Sequence, residues 1–346
     1  MGRYLLRRLL QGIPTFFGVT LISFLVMISA PGDPVALITF SPNRDAESSA
    51  IMTRQLGLDQ PAFTQYIYWL VGNDWRKIDI NGDGDTNDEI DHYGERRGLL
   101  RGDMGVSLQI RRPVLSLIIE RIPATLLLTF SALIVGYGVG ILLGVLAATY
   151  QGTLIDQFVR IITVIGNAIP AFWLGLVMII FFSVRADLLP MSGIQDIARR
   201  SNTFDPIETL RHMIMPVFVL SLGTIAFVSR FTRTEILEVL AQDYIRTARA
   251  KGLAERIVWR RHATRNALLP VATFIGPGLG TLLSGAVIVE QVFTWPGMGR
   301  LVVNAVFQRD YPLVMGTVVI AAVMFILGVL LSDILYALLD PRIRLE

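Results

Sequence analysis

The chain has 346 residues, of which 53% are apolar and 17% charged, and its mean hydropathy is +0.55, far more apolar than an ordinary soluble domain. A net charge of +3 is too small to imply a nucleic-acid partner. The absence of cysteine excludes disulfides and thiolate metal sites.

About 20 apolar residues are needed to cross the hydrocarbon core as a helix. Six uncharged stretches predict an all-α integral membrane protein with six transmembrane helices: Leu9 to Ala30, Pro123 to Tyr150, Ile161 to Val184, Met213 to Ser229, Ala267 to Val289, and Tyr311 to Ser332. The first follows Arg3, Arg7 and Arg8 like the start of a signal peptide, but its apolar run is too long and Ile28 stands where cleavage wants a small residue. It is read as a retained span, so residues 1–30 form the N-terminus and first helix.

Residues 31–122 are expected to make a large extracytoplasmic loop between helices 1 and 2. Within it, Ile51 to Val71 reads as a short amphipathic segment with Leu56, Leu58, Phe63, Tyr66, Ile67, Trp69 and Leu70 on its apolar face. The insert 74–97 is rich in Asp, Asn and Gly instead. Asp79, Asn81, Asp83 and Asp85 follow the oxygen spacing of a calcium loop of the EF-hand kind, with Gly84 at its sharp turn. The closing position holds Ile90, which leaves Asp91 as the candidate closing acid for a Ca2+ ion. A solvated acidic hairpin, whose Asp, Asn and Gly suit turns, is the competing reading.

Residues 123–346 hold the other five spans. Gly136, Gly140 and Gly144 form a small-residue stripe on one helix face, as do Gly276 and Gly280, and such stripes predict close helix packing. Pro170, Pro216 and Pro277 predict kinks.

Between spans four and five, residues 230–266 form a loop with Arg246, Arg249, Lys251, Arg256, Arg260, Arg261 and Arg265. Each would cost roughly 2.5–3.5 kcal/mol at a membrane centre, so the loop lies outside the bilayer. Its pattern is helix, turn, helix: Asp243 to Lys251, a break at Gly252, then Leu253 to Leu268. Tyr244 and Ala248 share a face of the first piece, with Lys251 next to them by spacing. Helices this short are marginal alone, which suits docking on another surface. From the residues alone the loop is either a grip on anionic lipid headgroups or a socket for a soluble motor domain.

The positive-inside rule places this loop, the N-terminal arginines, and Arg342 and Arg344 on the cytoplasmic side, with both termini. No G-x-x-x-x-G-K-[ST] cradle occurs, nor a metalloprotease or serine-nucleophile motif, so neither an ATPase nor another enzyme is read here. An ion-coupled secondary transporter or channel is the rival class, yet it usually places ionisable groups within its spans, and these are uncharged.

The loop segment Arg246 to Gly252 resembles the EAA loop of ABC importer permeases, with Gly252 in the place of that motif's glycine and Leu269-Pro270 closing it. The opening RYLLRRLLQGIPTFFGVTLISFLV, the turn Ala30-Pro31-Gly32-Asp33-Pro34, the run Gly102 to Ser107, Glu120 to Thr125, and Leu338 to Arg342 extend the resemblance across nearly the whole chain. They are similar to the first permease subunit of dipeptide, oligopeptide and nickel importers. The resemblance implies a second homologous permease, two ATP-binding subunits that alone handle ATP and Mg2+, and an extracytoplasmic substrate-binding protein. It also implies that Tyr244, Arg246, Thr247, Ala248, Lys251, Gly252, Leu253 and Arg256 meet an ATPase. Peptide is the implied substrate, with oligosaccharide or a nickel chelate as alternatives. Arg246 replaces the motif's glutamate, and the acidic insert is not part of the common pattern.

Overall fold

A computed structural model of the chain describes residues 2–29, 46–55, 57–80, 83, 85–86, 88–89, 91–195, 205–274 and 286–339. Asn81, the turn at residues 30–34, Gly276, Pro277, Gly280, Arg342 and Arg344 lie outside the described residues, as does much of the expected fifth span.

The chain runs through α1 (Gly2–Ser29), α2 (Ala46–Gln55), α3 (Ala62–Val71), β1 (Lys77–Ile78), β2 (His92–Tyr93), α4 (Val114–Thr149), α5 (Leu154–Ala168) and α6 (Ala171–Met178). Then come α7 (Pro206–Leu240), α8 (Asp243–Ala250), α9 (Glu255–Ile257), α10 (Arg265–Thr273), α11 (Val287–Val292), α12 (Met298–Phe307) and α13 (Tyr311–Leu339). Among the described residues, four helices have the length and apolarity to cross a membrane: α1 over Leu6–Ser29, α4, α7, and α13 over Tyr311–Leu331. The expected third span is a broken pair, α5 and α6, bent by 99°. Pro170 causes the break: it lacks an N–H and drives Ile169 out of helical backbone, to φ −76 and ψ 126.

Two helices outrun their apolar stretches. α4 begins at Val114, ahead of the expected Pro123, because Val114, Leu117 and Ile118 supply a buried stripe while exposed Glu120 pairs with Arg112. α7 begins at Pro206, where the Asp205 carboxylate caps it by accepting from the Ile207 and Glu208 amides, and it continues through Arg230 and Arg233 to Leu240.

The chain divides into two compact units, both discontinuous in sequence. The first comprises Met1–Leu9, Arg121–Arg300 and Met324–Glu346. Its core gathers Leu128, Met213, Met215, Phe293 and Trp295. The glycine stripe of α4 is a packing surface: a Cβ on Gly136, Gly140 or Gly144 would lie 2.7 Å from Thr224, 2.8 Å from Val228 or 2.6 Å from Thr232 of α7. Glu290 is fully buried; it accepts from the Thr125 hydroxyl at 2.9 Å and the Arg300 amide at 3.0 Å. Arg8 and Asp333 pair at 3.0 Å.

The second unit comprises Leu10–Glu120 and Leu301–Val323. α3 lays Tyr66 and Leu70 against Phe24 and Met315, and Tyr66 hydrogen-bonds the Thr20 hydroxyl at 2.9 Å. Tyr66 and Tyr68 are buried, whereas Phe63 and Trp75 are exposed. Buried Asp310 accepts from the Ser107 hydroxyl and from the Leu108 amide at 3.1 Å, fastening the 102–112 turns to the start of α13.

Candidate functional site

The basic segment after α7 folds as a tight helical turn built around its own core. Asp243 opens α8, placing a carboxylate where the first amides leave partial positive charge, and Arg249 sits in its last turn. Ile245 and Ala248, three residues apart, turn inward. They meet Val258 and Ala263 from the return path, with Val239 and Leu240 of α7 alongside.

Gly252 terminates α8 in the way its missing side chain permits. Its φ is +77, in the left-handed region, its amide donates to Arg249 O at 2.9 Å, and the Leu253 amide donates to Ala248 O at 3.3 Å. That bond pair is a Schellman termination, in which the residue after the helix must tolerate positive φ. The chain resumes helix at Glu255, and the Arg249 guanidinium closes the turn on the Glu255 carboxylate at 2.9 Å. α9 widens into π-type turns over Val258–Thr264 and continues as α10. Tyr244 Oη accepts from the Asn266 amide group at 3.2 Å, tying α8 to α10.

Of the residues singled out in the sequence, Tyr244, Arg246, Thr247, Lys251, Gly252, Leu253 and Arg256 are exposed together on the outside of this turn. Ala248 is not among them; at 7% exposure it belongs to the turn's interior beside Ile245. The outer surface mixes apolar and basic groups, with Tyr244, Leu253 and Ile257 each roughly 40% exposed beside Arg246, Lys251 and Arg256. A Cβ on Gly252 would meet nothing within 4 Å, so the space outside the turn is open.

Sequence reading missed how the turn is anchored. Asp156, only 1% exposed, receives Arg233 of α7 as a fork, Nε and an Nη each at 2.8 Å, and also accepts from the Gly152 amide at 3.0 Å. The available signal was slight: an acid in the first turn of α5 and one arginine among many. Ile236, Ala148 and Ala267 are buried in a neighbouring cluster that includes Trp259.

In the acidic insert, β1 and β2 pair antiparallel, Lys77 with Tyr93 and Ile78 with His92, making the insert a hairpin. Asp91 turns one oxygen to the Ile80 amide at 3.0 Å and the other to the Asp88 amide at 3.3 Å, and Asp83 accepts from the Asp85 amide at 2.8 Å. Among the described residues no group of three His, Asp or Glu side chains is placed to hold a metal ion, and Asn81, Gly84 and Ile90 of the expected calcium loop lie outside the described residues.

Comparison with known proteins accords with this architecture. The profile described as "Binding-protein-dependent transport system inner membrane component" matches residues 140–345, and the corresponding N-terminal profile matches residues 1–85. The oligopeptide transport system permease protein AppB of Bacillus subtilis (strain 168) is 41% identical, over 99% of this chain and 100% of its own length. The dipeptide transport system permease protein DppB of Escherichia coli (strain K12) is 38% identical over 99% of both chains. The glutathione transport system permease protein GsiC of Escherichia coli (strain K12) is 37% identical over 99% of both chains. Among solved structures, an inward-facing MetNI methionine ABC transporter chain aligns with a TM-score of 0.51 at 21% identity, covering 65% of this chain and 97% of that one, a likeness of fold. With one family profile spanning more than half of its length and full-length relatives near 40% identity, the chain belongs to the binding-protein-dependent transport system inner membrane components.

Proposed function

We propose that this chain is the permease subunit of an ATP-driven importer that moves peptides from a substrate-binding protein across the cytoplasmic membrane by alternating access. The names of the full-length relatives, oligopeptide, dipeptide and glutathione permeases, support a peptide-like substrate. Both termini and the basic turn lie on the cytoplasmic side in this reading, and the region between α1 and α4 lies outside, where the binding protein approaches. A second homologous permease completes the pathway, and two ATP-binding subunits supply the energy, since this sequence holds no phosphate cradle.

The observation that carries the proposal is the basic turn itself. Its outer surface is exposed and mixed apolar and basic, while its inner face is locked by fully buried Ile245, Val258 and Ala263. A rigid projection of this kind transmits force, whereas a flexible loop absorbs it. Tyr244, Leu253 and Ile257 supply apolar contact for an ATPase groove, and Arg246, Lys251 and Arg256 supply charge for its acidic rim. The buried Ala248 acts by keeping α8 against Val258.

Gly252 separates docking from folding. A side chain there projects into open space, so the turn itself pays only the left-handed backbone strain, roughly 1–2 kcal/mol. In proteoliposomes holding the whole transporter, Gly252→Ala is expected to keep most ATP-dependent peptide uptake, while Gly252→Trp abolishes uptake and weakens capture of the ATPase subunits. Wild-type uptake by Gly252→Trp would remove the coupling role.

A further inference from the structure

We infer that the Asp156–Arg233 fork is a positioning pair, one that makes α5 and the end of α4 move with the basic turn. The inference rests on the coupling role proposed for that turn and extends it to helices that do not flank it in sequence.

The argument follows contiguous contacts within the first unit. Ile245, Ala248, Val258 and Ala263 form the turn's core, and Val239 and Leu240 from the last turn of α7 pack against it. The same two residues pack against the adjoining cluster of Ile236, Ala148 of α4 and Ala267 of α10. Arg233 lies three residues before Ile236, near the same face of α7. From there both guanidinium contacts reach Asp156 at 2.8 Å, while Asp156 also holds the Gly152 amide in the turn that joins α4 to α5. Arg160 approaches Asp156 at 3.4 Å from the next turn of α5.

Gly144 of α4 lies against Thr232, the residue before Arg233, so the α4–α7 contact adjoins the fork. A two-point guanidinium–carboxylate fork fixes register and orientation, and it resists pulling as well as pushing. Burying Asp156 carries a desolvation cost that a well-packed apolar pair would avoid, so the fork is better explained by register than by stability. The result is a physically continuous route from the basic turn through α7 into α5.

The test uses the complete transporter in proteoliposomes, with Asp156→Asn, Arg233→Gln, the charge exchange Asp156→Arg with Arg233→Asp, and Asp156→Glu. ATP hydrolysis, peptide uptake and the amount of assembled complex are measured together. The sequence contains no cysteine, so spin labels at Gln157→Cys and at exposed Ala250→Cys report whether α5 follows the turn when ATP binds. The expected result is that Asp156→Asn and Arg233→Gln assemble and hydrolyse ATP but move at least tenfold less peptide per ATP, and that the interlabel distance, constant across nucleotide states in the wild type, becomes state-dependent. Asp156→Glu or the charge exchange should recover part of the uptake. The proposal is overturned if peptide moved per ATP is unaffected, if uptake and hydrolysis fall only in proportion to assembled complex, or if the wild-type distance itself changes on ATP binding. Failure of the coupling role of the turn would instead show as wild-type uptake by Gly252→Trp, independently of the fork.

Discussion

At the scale of single residues, Glu290 shows how a buried carboxylate is held by neutral donors. It is fully buried, and its partners include the Thr125 hydroxyl and the Arg300 and Gly299 amides, with Thr125 in turn accepting from the Met298 amide at 2.7 Å. The neighbouring Trp295 indole donates to Ala124 O at 2.8 Å, so the 290–300 turn is joined to α4 at adjacent residues. A side chain on Gly297 would run into the Glu290 carboxylate, which is why that turn needs glycine there. Removing the carboxylate strands the buried donors, and losses of this kind run to about 3 kcal/mol. Glu290→Ala is therefore expected to lower the detergent-solubilised melting temperature well below that of Glu290→Gln, which keeps one acceptor oxygen. Equal melting temperatures for the wild type and Glu290→Ala would refute the account.

At the scale of elements, the contact between α4 and α7 depends on glycine. Along α4, Gly140 and Gly144 face α7 so closely that added carbons would press on Val228 and on Ser229 O, whereas Gly138 has nothing within 4 Å. Forcing side chains into such a contact costs roughly 1–3 kcal/mol. Gly144→Leu should destabilise the chain by about that amount and Gly138→Leu should be nearly neutral, a difference readable by thermal unfolding in detergent. Two equally tolerated substitutions would mean that the helices are free to separate. The 99° break between α5 and α6 has an equally local origin in Pro170.

At the scale of the whole molecule, the arrangement of charge predicts which surfaces face which compartment. The absence of native cysteine makes single-site labelling direct. Lys251 and Glu95 are both exposed, the first on the basic turn and the second beyond β2. In right-side-out vesicles, a membrane-impermeant maleimide should modify Glu95→Cys at once and Lys251→Cys only after permeabilisation; the reverse pattern would invert the proposed orientation. The boundaries of the two compact units fall inside α1, α4, α12 and α13, so single helices contribute to both.

The sequence by itself determined the membrane class, the apolar stretches of α1, α4, α7 and α13, the glycine break in the basic turn, and the family. These are written in local composition and spacing: hydrocarbon selects uncharged runs, and a left-handed turn selects glycine. Tertiary structure decided what those signals leave open. Ala248 and Tyr244 share a face by spacing, yet Ala248 is buried and Tyr244 exposed, because the returning chain covers only part of that face. Asp156 and Arg233 are 77 positions apart and carry no motif, and only the packing of α5 against α7 turns two unremarked charges into a fork. In the acidic insert, oxygen spacing alone does not say what Asp91 meets, and the fold brings its carboxylate to the Ile80 and Asp88 amides. Local pattern fixes what a segment can form, and the contacts made across distant segments fix which of its groups remain available to a partner.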